Sequence, residues 1–338
     1  MRPGPKNMIT DVPGLLVGNA HDADLRSGTT VLMHESHSLT TSCAIHGGAP
    51  GTRETALLDP EKSVAAVDAI VLSGGSTYGV DAASGVVAGL RAQGRGLPLH
   101  HLHIPLVPAA IVFDLLNGGD KNWTDTPYPA LGRAAFEAAG PDVLLGSHGA
   151  GYGALSGTLK GGLGSASYVM DDGTTVGALV VVNAVGSATT PGERHFWAAP
   201  FEVDGEFGGL GPDPVTGQGP GYVSRKLAAF AEHANTTIAI VATDATLTKS
   251  EAKRVAIAAH DGIARAVVPA HLPSDGDLVF AVSTNARPVP NDDFGPMRLG
   301  AIGHAAALCL ARAIARGVFE ASTVDGDIMP TWKSLNAQ

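Results

Sequence analysis

Short apolar runs alternate along the chain with longer segments in which apolar residues recur at helical spacing. A run that is apolar at every position is typical of a strand covered on both faces. Such runs predict buried strands at Ala69–Leu72, Leu102–Leu106, Ala178–Val182, Thr237–Ala242 and Leu278–Val282.

The segments between these runs predict α-helices. The clearest is Lys249–Val267, where Thr248 and Glu251 have the spacing of a capping box and apolar residues then recur on one face. Further helices are predicted for Val80–Gln93, Tyr128–Ala139 and Leu299–Arg316. Because strands and helices alternate over the whole length, the pattern favours a layered α/β fold.

One segment departs from this alternation. Pro191–Tyr222 is rich in Gly and Pro and carries several acids and two aromatic residues. It predicts a long surface excursion, and a loop of this length in a compact domain is usually functional or partly mobile.

Composition narrows the function classes. The 338 residues are 44% hydrophobic and 16% charged, enough for a substantial core, and the formal net charge is −10. Without a basic stripe, nucleic acid and anionic membranes are disfavoured as partners. Cys43 and Cys309 lie in apolar stretches and are expected in the core, not in a disulfide or zinc site. With no signal-like N-terminus and no 18-residue apolar run, the expected compartment is the cytoplasm.

A possible nucleophile stands where a predicted strand begins, at Asn235-Thr236. A Thr in such a place can attack the preceding carbonyl, and hydrolysis of the resulting ester leaves a new N-terminus. Its α-amino group, with a pKa of about 7.7–8.0, can serve as base for its own hydroxyl. On the pattern alone, such a pair is usually only a turn residue followed by a β-branched strand residue.

Two acids precede another strand. Asp275 and Asp277 are two residues apart on extended chain, so both carboxylates can face one site. They could orient an ammonium or hydroxyl group or bind a cation. The alternative is a glycine-centred turn at the strand entrance.

Four further candidate residues lie in glycine-rich turns or at a strand end. Backbone N–H groups around Gly75 open a predicted helix and could bind an oxyanion, with the phenol of Tyr78 nearby. Lys160 lies among glycines that could let its amine enter a cleft. Asn183 ends a strand with an amide that must find partners. A tight turn, a solvated lysine and a backbone-capping asparagine are the structural alternatives.

The best metal candidates are His101 and His103, which alternate onto one face of the predicted strand. No H-E-x-x-H pattern follows, and no acidic partner stands at a fixed spacing. An ordinary half-buried histidine pair is therefore preferred, and no metal is expected.

Seven segments in order resemble those of the L-aminopeptidase D-amidase/esterase family, which includes the β-peptidyl aminopeptidases and the nylon-oligomer (6-aminohexanoate-oligomer) hydrolase. The resemblance extends over nearly the whole chain. The segments are Thr10–His21, Leu72–Gly85, Ile104–Leu115, Lys160–Ser167, Ala178–Gly186, Asn235–Thr243 and Asp275–Val282.

The resemblance implies a four-layer αββα sandwich, similar to the Ntn hydrolases but with a different strand connectivity. It implies a precursor that cleaves itself into residues 1–235 and 236–338, with Thr236 as the nucleophile both for this cut and for substrate. It further implies a peptide or amide substrate, no cofactor, and a homotetramer or related homo-oligomer.

Residue roles are implied in the same way. Lys160 and Asn183 would sit beside Thr236, tuning its amine and donating to the oxyanion. Asp275 and Asp277 would hold its amino and hydroxyl groups, while Tyr78 and Gly75 would line the substrate or oxyanion pocket.

Several functions stay open at this stage. The first is an aminopeptidase or amidase acting on short peptides, and the second is an endo-type hydrolase of nylon oligomers. The others are an N-acetyltransferase of the ornithine acetyltransferase type, a metal hydrolase using His101 and His103, and a non-catalytic binding domain.

Overall fold

The computed structural model describes residues 1–215, 236–290 and 293–337. Its strands are β1 Leu15–Asp22, β2 Ser27–His34, β3 Leu39–Ile45, β4 Thr52–Arg53, β5 Ala66–Val67, β6 Ala69–Ser73, β7 Leu97–Leu99, β8 Leu102–Ile104, β9 Ala109–Ile111, β10 Leu155–Ser156, β11 Leu159–Lys160, β12 Gly162–Val169, β13 Thr175–Asn183, β14 Thr236–Ala245 and β15 Leu278–Arg287. Its α-helices are α1 Ala82–Ala92, α2 Tyr128–Glu137, α3 Lys249–Ala266, α4 Gly295–Phe319 and α5 Trp332–Asn336. Single 3₁₀ turns lie at Ile9–Asp11, Thr55–Leu58, Ser76–Asp81, Gly149–Gly151 and Ala199–Phe201.

The strands form two main sheets. The larger has six strands in the order β12-β13-β14-β15-β3-β5, and the other has five in the order β1-β2-β6-β9-β4. In the larger sheet β14 runs antiparallel to β13 and parallel to β15. The first residues of β14 and β15 therefore lie at the same end of these strands, beside the last residues of β13.

Alternation of side chains along the central strands places each apolar residue in one of two cores. Leu179, Ile240 and Phe280 face the five-stranded sheet and pack there against Leu32 and Ile70. Because successive side chains on a strand point to opposite faces, their neighbours in sequence face the helices instead. This is why the runs are continuously apolar.

The opposite face of the six-stranded sheet is covered by α3 and α4, through residues such as Val180, Val241, Ile263 and Leu310. Thr248 and Glu251 form the predicted capping box: the Thr248 hydroxyl accepts from the Glu251 amide, and the Glu251 carboxylate accepts from the Thr248 amide. Helix α4 is long and apolar enough to cross a bilayer, although no apolar run of that length was expected from the sequence. However, 78% of its apolar stretch is buried within the protein.

The five-stranded sheet is covered on its outer face by α1 and α2, with Val31 and Val71 packed against Val86, Leu90 and Phe136. The layers are thus helix, sheet, sheet, helix. The expected αββα sandwich is confirmed.

Two predictions about local structure were wrong. Leu102–Leu106 is not a buried strand: β8 is short and pairs only with β7, and its Leu102 is 50% exposed. The described part of the Pro191–Tyr222 excursion does not lie wholly on the surface, because Phe196 and Phe207 are buried in the core beneath α4. The apolar content of a short segment does not show whether another layer of the protein will bury it.

Candidate active site

Thr236 is the first residue of β14 and lies directly opposite Asn183, the last residue of β13. Both side chains are buried, at 2% and 1% exposure. The antiparallel register therefore brings together two polar residues that are 53 positions apart (236 minus 183). Asn235, the residue before the expected cut, lies outside the described residues.

The Asp275–Asp277 turn packs directly on Thr236. A Cβ placed on Gly276 would lie 2.8 Å from the Thr236 hydroxyl oxygen and 3.1 Å from its methyl group. Only glycine leaves room for the threonine side chain at this distance. The turn enters β15, whose Leu278 is the parallel partner of Ile238 in β14.

Asp277 holds the backbone next to Thr236. Its Oδ1 accepts a hydrogen bond from the Thr237 amide at 2.7 Å. Its Oδ2 accepts from the backbone amide of His271 at 3.0 Å and is 2.9 Å from Nδ1 of the same residue. A buried carboxylate with three such partners has a fixed orientation.

Asp275 is 1% exposed and accepts a hydrogen bond from the Leu272 amide through Oδ2 at 2.9 Å. The carbonyl groups of both acids are held by the segment after β3. The Ala49 amide donates to the Asp275 carbonyl at 2.8 Å, and the His46 and Gly47 amides donate to the Asp277 carbonyl at 3.0 Å. The turn is thus clamped through its main chain as well as its side chains.

Asn183 uses its amide to bind two backbone groups from other parts of the chain. Its Oδ1 accepts from the Leu155 amide at 2.9 Å, and its Nδ2 donates to the Phe113 carbonyl at 3.0 Å. The side chain is therefore preorganised beside Thr236, as an oxyanion donor requires.

The Gly75 turn is connected to this site through the residue after Phe113. The Gly75 amide donates to the carboxylate of Asp114 at 2.7 Å, and the Ser27 hydroxyl donates to the same carboxylate at 2.6 Å. Because Asp114 occupies the Gly75 amide, this turn does not offer that N–H to an oxyanion. Burial raises the pKa of Asp114, although both hydrogen bonds oppose the shift. Tyr78 is 45% exposed and packs edge-on against Trp123.

Lys160 is buried, and its amine bonds a carboxylate and a backbone carbonyl from the segment before α5. Its Nζ is 2.9 Å from Asp327 Oδ2 and 3.0 Å from the Ser322 carbonyl oxygen. Among the described residues it makes no hydrogen bond to Thr236. It is nevertheless close to the site, because its β-bridge partner Leu155 donates to Asn183. Its ammonium is paired with the Asp327 carboxylate.

The histidines chosen from sequence do not form a site. His101 lies in the turn between β7 and β8, outside the strand that contains His103, and both are exposed. They therefore do not share a strand face. Within the described ranges, the cluster of potential metal ligands consists instead of His46, His260 and His271. Their separation in sequence, with no recognisable spacing, explains why sequence reasoning missed them.

This cluster adjoins the Asp277 carboxylate. The rings of His46 and His260 stack with centroids 3.6 Å apart, and the His271 ring lies edge-on to both. Burial, together with the neighbouring imidazoles, lowers the pKa of His260 to about 3. The His271 ring bonds the Asp277 carboxylate, and the His46 amide bonds the Asp277 carbonyl.

Taken together, the described residues place a buried threonine hydroxyl beside a fixed amide and a fixed carboxylate. A hydroxyl becomes a useful nucleophile only when a base accepts its proton, and a positioned donor stabilises the oxyanion that follows. This arrangement suits acyl transfer.

Comparison with known proteins places the chain among peptidases. The sequence model of "Peptidase family S58" matches residues 7–329. An uncharacterised aminopeptidase of Mycobacterium tuberculosis is 44% identical, covering 97% of this chain and 98% of its own. The 6-aminohexanoate-oligomer endohydrolase of Kocuria sp. is 28% identical, covering 85% of this chain and 78% of its own.

A solved structure confirms the fold. The L-aminopeptidase D-Ala-esterase/amidase of Ochrobactrum anthropi, described as a variant of the Ntn hydrolase fold, superposes with a TM-score of 0.68 at 20% identity. The match covers 97% of this chain and 90% of that one.

Proposed function

The chain belongs to peptidase family S58 and is a hydrolase of peptide or amide bonds, and from this premise we propose that it is a self-processing N-terminal-nucleophile enzyme. Thr236, freed by cleavage after Asn235, attacks amide bonds of short peptides, amides or oligoamides. The observation that carries the proposal is the position of Thr236, packed on Gly276 and paired with Asn183.

Self-cleavage proceeds by an N-to-O acyl shift. The Thr236 oxygen attacks the carbonyl carbon of Asn235, the C–N bond breaks, and an ester forms while the Thr236 nitrogen gains a proton and becomes an amine. Water then hydrolyses the ester, giving a carboxylate on Asn235 and restoring the hydroxyl. The products are residues 1–235 and a second chain that begins with Thr236.

Substrate turnover uses the same oxygen. The new α-amino group, with an ordinary pKa of about 7.7–8.0, takes the hydroxyl proton as the oxygen attacks the substrate carbonyl. A base positioned in this way contributes roughly 10²–10⁴-fold. The proton passes to the leaving amine, and water releases the acyl group in a second step.

The fixed polar groups supply the rest of the site. Asn183 donates to the developing oxyanion, an interaction worth about 2.7–4 kcal/mol where comparable donors have been removed. Asp277 holds the Thr237 amide and thereby the direction of Thr236, and Asp275 holds the turn that contacts it. Tyr78 lines the substrate entrance, where its exposed phenol can contact the acyl group.

Lys160 is a positioning residue in this proposal. Its pair with Asp327 fastens the β10–β11 hairpin to the segment before α5, and the hairpin in turn fixes Asn183 through Leu155. Gly75 likewise shapes the turn instead of binding the oxyanion, because its amide donates to the Asp114 carboxylate.

The substrate class has two candidates. An aminopeptidase or amidase activity is supported by the 44% identical mycobacterial relatives, which are named as aminopeptidases. An endo-type cleavage of 6-aminohexanoate oligomers is supported by the more distant endohydrolases. Peptide p-nitroanilides compared with 6-aminohexanoate oligomers separate the two. A homo-oligomeric state and a cytoplasmic location belong to the same proposal, and size-exclusion chromatography and cell fractionation test them.

Mass spectrometry and N-terminal sequencing of purified protein test the mechanism. We expect two chains in place of a single 34.2 kDa polypeptide, the second beginning at Thr236. Thr236→Ala should remain intact and inactive, whereas Thr236→Ser should cleave. A fully active chain that stays intact would refute the proposal.

Thr237→Val is the matched control. Thr237 follows in the same strand, and its buried hydroxyl has no hydrogen-bond partner among the described groups. The substitution keeps the shape and leaves the backbone bond to Asp277 in place. It should therefore cleave at the wild-type rate.

A further inference from the structure

Three imidazoles converge beside Asp277. His46 follows β3, His260 lies on α3, and His271 stands in the loop that leads from α3 to β15. One potential ligand nitrogen from each lies within 4.8 Å of the others. The protonation of each ring nitrogen decides what the cluster can bind.

His260 has one buried ring nitrogen that the hydrogen bonds of the described residues leave unused. The residue is 2% exposed, and its Nε2 lies 3.0 Å from the Ala44 carbonyl oxygen. Because a carbonyl only accepts, Nε2 carries the proton and the neutral ring has its lone pair on Nδ1. That Nδ1 is buried and has no hydrogen-bond partner among the described residues. A buried acceptor with no donor is normally avoided.

His271 is held in the complementary state. Its Nδ1 lies 2.9 Å from Asp277 Oδ2, which as an ionised carboxylate only accepts. The proton therefore resides on Nδ1, and Nε2 has the lone pair. A carboxylate bonded to the far nitrogen of an imidazole is the usual outer-shell support of a histidine that binds a metal.

His46 completes the set from the solvent side. It is exposed, so its ring can rotate and a solvated ion can enter past it.

We propose that His46, His260 and His271 form a binding site for a divalent transition-metal ion of the zinc class, with water as the fourth ligand. Imidazole nitrogen suits zinc, and three histidines with one open position are a known tetrahedral set. Bonds of about 2.0–2.1 Å require nitrogens roughly 3.3 Å apart, so the exposed His46 ring must rotate inward.

The site is linked to the nucleophile through hydrogen bonds already in place. An ion on His271 makes its Nδ1–H more acidic and strengthens the bond to Asp277, whose other oxygen holds the Thr237 amide. This link to catalysis rests on the proposed function, but the metal site itself does not. We expect an occupied site to stiffen the turn that contacts Thr236.

Titration with Co²⁺ tests the site directly. Untagged protein, freed of metal by a chelator, is titrated while the visible absorption of tetrahedral Co²⁺ and the binding heat are followed. We expect one ion per chain, displaced by Zn²⁺. His46→Ala, at an exposed position, should weaken binding by at least about tenfold, since even outer-shell changes typically cost 10–100-fold. His260→Gln, which can still donate to the Ala44 carbonyl, should do the same.

Matched controls make the outcome decisive. His101→Ala and His103→Ala remove exposed histidines of the β7–β8 hairpin and should leave Co²⁺ binding unchanged. Thr236→Ala should also bind Co²⁺ normally, so a failure of self-cleavage leaves the metal result readable. No saturable tetrahedral spectrum, or equal binding in wild type and His46→Ala, would overturn the proposal and leave the cluster as packed imidazoles.

Discussion

Gly276→Ala is the sharpest single perturbation that the structure offers, because it changes only the space beside Thr236. The Gly276 backbone does not require a left-handed φ, so alanine is compatible with the chain. The added Cβ would nevertheless lie 2.8 Å from the Thr236 hydroxyl oxygen and 2.9 Å from the Ala49 carbonyl oxygen. Ordinary contact begins near 3.4 Å, so the groups must separate by 0.6 Å (3.4 minus 2.8).

The magnitude follows from this displacement. Misplacing a reacting atom by 1 Å can cost about 10²-fold, so a shift near 0.6 Å should slow cleavage by roughly ten- to a hundredfold. Overpacking at a tight site costs about 1–3 kcal/mol of folding stability. The protein should therefore still fold, and the catalytic loss should exceed what unfolding explains.

The assay follows precursor processing by denaturing gel after synthesis, together with urea unfolding of each variant. Gly300→Ala is the matched control, since its Cβ would meet nothing within 4 Å and it lies in the exposed start of α4. It should process normally and gain slightly in stability, because alanine is the better helix former. If Gly276→Ala processed at the wild-type rate, Thr236 would not be the group that must move, and the proposed site would be wrong.

Other predictions concern stability and reactivity. Lys160→Met removes the buried ammonium that pairs with Asp327 and leaves this carboxylate with Arg26 at 3.6 Å. The substitution should lower the free energy of unfolding in urea by about 1–3 kcal/mol, whereas adding Asp327→Asn to it should restore part of the loss. Because the pKa of His260 is about 3 in the fold and near 6.5 when unfolded, only the unfolded chain gains this proton as pH falls below about 6.5. Stability in the presence of chelator should fall by about 2 kcal/mol between pH 6.5 and pH 5, and His260→Gln should lack this component. If the variant kept the full pH dependence, other groups would be responsible. Burial raises the thiol pKa of Cys43 to about 11 and of Cys309 to about 12, so both should resist thiol reagents at pH 8 until the protein is denatured. Rapid native labelling of either would contradict their burial.

Much of the central fold could be predicted from local pattern. The pattern predicts strands β6, β13 and β14 and the capped helix α3 to within three residues of their observed bounds, and it predicts the first half of β15. Their signal is strong because both faces of a central strand are covered, which leaves a continuous apolar run. The hairpin β7–β8 also has an apolar sequence, but among the described residues no other layer of the protein packs on it. The pattern therefore predicted a buried strand where the structure has an exposed one.

The candidate site divides in the same way. Thr236, Asp275 and Asp277 could be singled out because they stand at strand starts, where polar groups interrupt an apolar pattern, but their assignment to one site came from the family resemblance. The partner of the Lys160 amine was not recognisable, since Asp327 is 167 residues away and carries no motif. The sequence does not show which group a lysine ammonium will contact. Only the tertiary structure shows that the Lys160 ammonium forms an ion pair with Asp327.

The sequence by itself determined the layered class of the fold, its central strands and the residue types that could carry acyl transfer. These depend on periodicity and on chemical identity, both of which are local. Tertiary structure alone decided the pairing of Thr236 with Asn183, the contact with Gly276 and the meeting of His46, His260 and His271. The reason is physical: register and sheet order bring together groups that are distant along the chain, and the free energy of packing that selects this register is spread over the whole core.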